Sequence, residues 1–133
     1  MATGPLVAER IFFLEGDPNR EPALTFRLWR PYQPENDYPR CAYELAGAQF
    51  TQRGEVSGVD GVDCIITCLS QAGTKVAGLN ESVFGGRLRW AASPEGGRGL
   101  GLPTIEDHWP FHEAYAIAEE WSRDQRRRGS GQP

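Results

Sequence analysis

The chain has 133 residues, of which 39% are apolar and 24% charged, proportions that fit one folded domain and exclude collagen-like, mucin-like and wholly disordered chains. Its 14 basic and 18 acidic residues leave a net charge of −4; without Arg126, Arg127 and Arg128 the balance is 11 against 18, or −7. So acidic a body disfavours the phosphate backbone of nucleic acid as main partner and favours a basic protein.

The first half reads as strands. Glu9 to Glu15 (ERIFFLE) is rich in aromatic and β-branched residues, and Gly16 to Pro22 forms a loop. Ala23 to Arg30 alternates, with Leu24, Phe26 and Leu28 on one face and Thr25, Arg27 and Trp29 on the other. Pro31 to Pro39 holds three prolines and is a loop. Arg40 to Ala46 alternates again, with Cys41, Tyr43 and Leu45 on one face. Ala48 to Val56 is a weaker fourth strand, in which Gly54 marks a bulge or the end of pairing.

From Asp60 the period changes. Ile65, Leu69, Ala72, Val76 and Leu79 lie three or four residues apart, one face of a helix that Asp60 or Asp63 caps. Cys68 falls at the edge of that face and Cys64 further out. Gly73 lies near the face, where a missing side chain lets a strand approach, and the helix ends between Leu79 and Val83. Arg87 to Ala92 is a fifth strand with Leu88 and Trp90 inward; Ser93 to Pro103 is a glycine-rich loop. Pro110 opens a last helix with a stripe of Phe111, Ala114, Tyr115, Ala118 and Trp121. The expected architecture is α+β: an antiparallel sheet of about five strands in ββββαβα order, one main helix packed on a face, and a C-terminal helix. Residues 1–125 form the single domain and residues 126–133 a basic, disordered tail.

Cys41-Ala-Tyr43-Glu-Leu45-Ala-Gly47, then Gly61-Val62-Asp63 opening a helix, then Leu88-Arg-Trp90 and Gly99-Leu-Gly101-Leu-Pro103, resembles a family of small uncharacterised bacterial domains. The resemblance spans about residues 8 to 104 and leaves the final helix outside. It departs from that pattern at Cys64 and Ile66, where a small polar residue and a glutamine are usual. It implies the same fold and a bacterial, cytoplasmic protein, and carries no reaction with it. No apolar run nears the roughly 20 residues of a membrane helix, and Met1 to Arg10 has no signal-peptide pattern. Three cysteines, an odd number, also suit a reducing compartment better than a disulfide framework.

The chemistry-bearing candidates are few. Cys64-x3-Cys68 with His108-x3-His112 has ligand-like spacing for zinc, although a long stretch separates the pairs. Cys64, in the first helical turn, is the thiol that a helix dipole would activate. Gly96 to Gly101 looks like a phosphate loop but leads into Leu102-Pro103 rather than a helix, and reads as a flexible surface loop. Cys64, Cys68, His108 and His112 compose the alternative function, a small metal- or thiol-dependent protein; otherwise no cofactor is expected. The favoured reading is a protein-binding domain without catalysis, of an immunity or inhibitor type. Its candidate surface is Trp29, Tyr32, Glu35, Asp37 and Tyr38, with Glu106, Asp107 and Trp109 as a second mixed segment. Aromatic anchors flanked by charges are what interfaces favour, unless Trp29 and Tyr38 instead pack beneath the final helix. Another protein is the expected partner, with a second copy of the chain as the other option; a membrane and nucleic acid are not expected.

Overall fold

A computed structural model describes residues 4–92, 98–104 and 120–129. Strands β1 (Leu6–Leu14), β2 (Pro22–Trp29), β3 (Arg40–Gly47) and β4 (Thr51–Ser57) precede helix α1 (Gly61–Ser82), strand β5 (Leu88–Arg89) and a 3-10 turn (Arg98–Gly101). Residues 120–129 form the C-terminal helix, α2. The five strands make one antiparallel sheet in the order β4-β3-β2-β1-β5, so the fold is α+β as the sequence predicts. β1 begins at Leu6, ahead of the predicted Glu9, because Leu6 pairs with Trp29 and the Arg30 N–H donates to Pro5 O. β5 is shorter than predicted.

The alternation holds. Leu24, Phe26, Leu28, Cys41, Tyr43 and Leu45 are buried on the face that α1 covers, joined there by Phe12 and Val56. The register sets these side chains in rows: Phe12 opposite Leu24, Phe26 opposite Leu45, Leu28 opposite Tyr43, and Cys41 opposite Val56. The other face carries a row of charges running straight across four strands. Arg27 donates to Glu9 (2.9 Å) and to Glu44 (3.1 Å), and Arg53 donates to Glu44 (2.8 Å). Glu44 is largely buried, so two arginines offset its desolvation, while the more exposed Glu9 end contributes little net stability.

Both candidate caps act at the start of α1. The Asp63 N–H donates to Asp60 Oδ1 (2.8 Å), and Asp63 Oδ2 accepts from the Val59 N–H (2.9 Å), a near-reciprocal box that stabilises the helix by about 1 kcal/mol. The buried face of α1 is rotated from the predicted one. Its centre is Cys64, Cys68, Ala72, Gly73 and Val76, with Ile65, Leu69 and Leu79 only partly buried beside it. The placement of Cys64 and Cys68 at the margin is therefore corrected. The sheet face is filled with Tyr43, Phe26, Leu45 and Phe12, so the helix face that meets it must be small.

Gly54 makes no bulge: it stays in register opposite Tyr43, and a Cβ there would run into the Tyr43 ring. Gly73 does allow a close approach, by the Pro103 carbonyl and Leu102 rather than by a strand. The segment around the 3-10 turn is thus clamped on α1, with Leu100, Leu102 and Thr104 buried. Arg10 holds it from the sheet, its guanidinium 3.6 Å above the Trp90 ring and donating to Leu100 O (3.2 Å). Leu100 and Leu102 of the glycine-rich loop are therefore core rather than flexible surface, whereas Gly101 between them is exposed. In the C-terminal helix Trp121 is 65% exposed; the other residues of the expected stripe, Phe111, Ala114, Tyr115 and Ala118, lie outside the described residues. That helix runs through Arg126 to Arg128, where a disordered tail was expected. Asp124 lies 3.7 Å from Arg127 and 3.6 Å from Arg128, one turn on.

Candidate functional site

The loop between β2 and β3 is rigidly built despite its prolines. Tyr32 and Arg40 exchange two backbone hydrogen bonds of 2.8 Å and close it. Asn36 takes a left-handed conformation, which its short amide tolerates, and the Asp37 N–H donates to Pro34 O. The Gln33 side-chain amide donates to Asp37 O. Arg40 then ties the loop down, donating to Asp37 (2.8 Å) and to Glu55 on β4 (3.2 Å), while Tyr32 Oη donates to Glu55 (2.8 Å). The bond from the Tyr38 N–H, followed by Arg40, holds the Asp37 carboxyl below its usual range, and Glu55 raises the Tyr32 phenol.

This frame shapes an open groove of about 660 Å³ lined by Gln33 to Pro39 and Val59. A smaller recess of about 250 Å³, lined by Tyr38, Ser57, Gly58, Val59 and Asp63, adjoins it at the N-terminal end of α1. Tyr38 (63% exposed) and Val59 (76%) present apolar surface here, and Val62 (68%) is exposed on the first turn of α1. Glu35, Asp37, Asp60 and Asp63 lie in the same loop and helix start, and the positive charge of Arg40 is already taken by Asp37 and Glu55.

Of the predicted binding residues, Glu35, Asp37 and Tyr38 line this groove. Tyr38 is exposed, not packed beneath a helix. Tyr32 is tied to Glu55, and Asp37 braces the loop as well as lining it. Trp29 is half-buried in β2, opposite Leu6 and away from the groove. Glu106, Asp107 and Trp109 lie outside the described residues, as do His108 and His112. Sequence reasoning missed Val59 and Val62; two valines set among Gly58, Asp60 and Gly61, just ahead of a capped helix, were the available signal.

The three cysteines are buried and carry free thiols. Cys64 Sγ donates to Pro39 O and Val56 O, both at 3.4 Å, and Cys41 Sγ to Trp29 O at 3.5 Å. The neighbouring Cys68 thiol, then Cys64, pulls the Cys41 thiol below the ordinary value against its burial. Activation of Cys64 by the helix dipole is overturned: burial, then the Cys41 and Asp63 charges, push its thiol up to about 11. The Cys41 contact and burial raise Cys68 too. Among the described residues no group of three His, Cys, Asp or Glu side chains could hold a metal ion.

An alkaline instability follows. An unfolded thiol gives up its proton near pH ~8.5, whereas folded Cys64 keeps it to about pH 11. Between those values the unfolded chain binds fewer protons, so stability falls as pH rises, by up to about 3 kcal/mol from this group. Urea unfolding from pH 8 to 11 is expected to show a shallower decline for Cys64→Ala than for the wild type; parallel declines would refute it.

A family model described as "Domain of unknown function (DUF6968)" matches residues 8–104, from β1 through the clamp on α1. No curated protein and no solved structure matches the chain.

Proposed function

Because the chain belongs to the DUF6968 family of domains of unknown function, we propose a role from its surface: it is a protein-binding module whose groove takes a basic segment of another protein. One observation carries this. Tyr38, on a loop braced in advance by the Tyr32–Glu55–Arg40–Asp37 network, and Val59 form an exposed apolar lip in a corner rich in carboxylates, with Val62 exposed on the first turn of α1. An aromatic anchor on a preorganised loop limits the entropy lost on docking. The surrounding carboxylates, within a chain of net charge −4, steer a basic partner and reject acidic ones. An immunity or inhibitor role in the bacterial cytoplasm is the form of this reading that suits a small acidic protein with three free thiols.

The test is recovery of tagged protein from its own host cells at low and high salt. The expected result is one basic protein, equimolar with the chain at low salt and depleted at high salt. Val59→Ser with Val62→Ser is expected to lower its retention about tenfold or more. Glu35→Lys weakens retention at low salt only, because salt already screens the charge. Recovery of no equimolar protein, of an acidic one, or of further copies of the chain alone overturns the reading. So does unchanged retention by the valine variant.

A further inference from the structure

The two edges of the sheet are guarded differently. At one edge β5 covers the end of β1, and a register shift between Leu6 and Ala8 breaks the regularity of the rest. At the other edge β4 pairs with β3 through all seven of its residues without a shift, and among the described residues no strand lies beyond it. The strand holds neither proline nor lysine. A regular edge of that kind is a template for another strand.

The backbone groups it offers follow from its ladder. On either side of β4, Phe50 O accepts from the Gly47 N–H (2.9 Å) and the Gly58 N–H donates to Pro39 O (3.1 Å), both in the register of β4 with β3. The alternation of an antiparallel ladder then turns the N–H and C=O groups of Gln52, Gly54 and Val56 toward β3, and those of Thr51, Arg53, Glu55 and Ser57 outward. The side chains of these last four share the sheet face away from α1, where Arg53 reaches Glu44 and Glu55 holds Arg40 and Tyr32. Their order complements itself when reversed about Gly54: Arg53 falls against Glu55, and Thr51 against Ser57.

We propose that β4 is a self-association surface, along which a second copy of the chain pairs antiparallel about a two-fold axis at Gly54. Each outward N–H then meets an outward C=O, and one sheet runs through both copies. Arg53 of each copy lies directly across from Glu55 of the other, the favoured arrangement for opposite charges in an antiparallel pair. Sliding one copy by one residue would set outward groups against inward ones. Sliding it by two would set Arg53 against Arg53 or Glu55 against Glu55, so charge fixes the register. The two-fold closes the assembly at two copies. This inference does not depend on the groove having a partner.

Sedimentation equilibrium of the full chain is expected to show a dimer that is half-formed at or below about 100 μM. Above that concentration, amide exchange is expected to slow at Thr51, Arg53, Glu55 and Ser57 relative to dilute protein. Arg53→Glu and Glu55→Arg each set like charges across the junction, and each is expected to weaken the dimer about tenfold or more. Mixing the two variants is expected to restore a dimer with one copy of each. Thr51→Pro removes an outward N–H and spares the ladder to β3, so it weakens the dimer with both charges intact and serves where a charge variant fails to fold. A monomer mass alone up to about 0.5 mM, a dimer indifferent to these variants, or slowed exchange on β1 in place of β4 overturns the proposal.

Discussion

Replacing Gly73 by alanine is expected to lower the unfolding free energy by about 3 kcal/mol, while the same change at Gly78 raises it by up to about 1 kcal/mol. Both glycines lie on α1 and face the same helix propensity. They differ in what a methyl group would meet. At Gly78 nothing lies within 4 Å, so alanine only removes the conformational cost of glycine. At Gly73 the methyl would occupy the place of the Pro103 carbonyl, with Leu102 beside it. That obstacle is backbone and cannot swing away like a side chain. The segment must lift, and Leu100 and Leu102 leave the core with it. Urea denaturation of the two variants measures the contrast directly. Equal effects at both positions would show that the segment does not clamp α1.

Tyr43→Ala is expected to cost about 4 kcal/mol and Tyr43→Phe only about 1 kcal/mol. Tyr43 is among the largest fully buried side chains, with its ring tilted against Phe26 at 6.3 Å between centroids. Truncation to alanine removes that volume from the middle of the core. The phenylalanine variant keeps the ring and loses only the bond from the hydroxyl to Gln71 Oε1, 2.9 Å. The ring also explains Gly54, whose missing Cβ leaves room for it. Gly54→Ala should therefore destabilise the wild type and cost much less when Tyr43 is already alanine. A double-mutant cycle with no coupling would refute that account.

The legible parts of this fold are those governed by local periodicity. β2 and β3 announce themselves because one face is dry, so Leu24, Phe26, Leu28, Cys41, Tyr43 and Leu45 recur at every second position. α1 was legible in extent but rotated in face. Weighing large side chains pointed to Ile65 and Leu69, whereas a crowded sheet selects the small ones, Cys64 and Cys68. Glycine content marked the segment before Pro103 as a loop; its burial depends on the vacancy at Gly73, a contact between distant residues. The groove was half legible. Tyr38, Glu35 and Asp37 stood out by type, but the engagement of Tyr32 with Glu55 depends on how β4 lies beside the loop. The convergence of three thiols depends on the same through-space pairing.

The strand order has a kinetic consequence. β1, β2 and β3 each pair with the next strand along the chain, so their turns close over short contour lengths and nucleate cheaply. β5 instead returns to β1, pairing Phe13 with Arg89 and Leu14 with Leu88, after the whole meander and α1 have intervened. That closure spends far more chain entropy for two residue pairs than any hairpin does. β5 is thus the seam along which the sheet assembles last and opens first. The Glu15 amide, bonded to Arg87 O across it, should exchange with solvent deuterium well before the amides of β3.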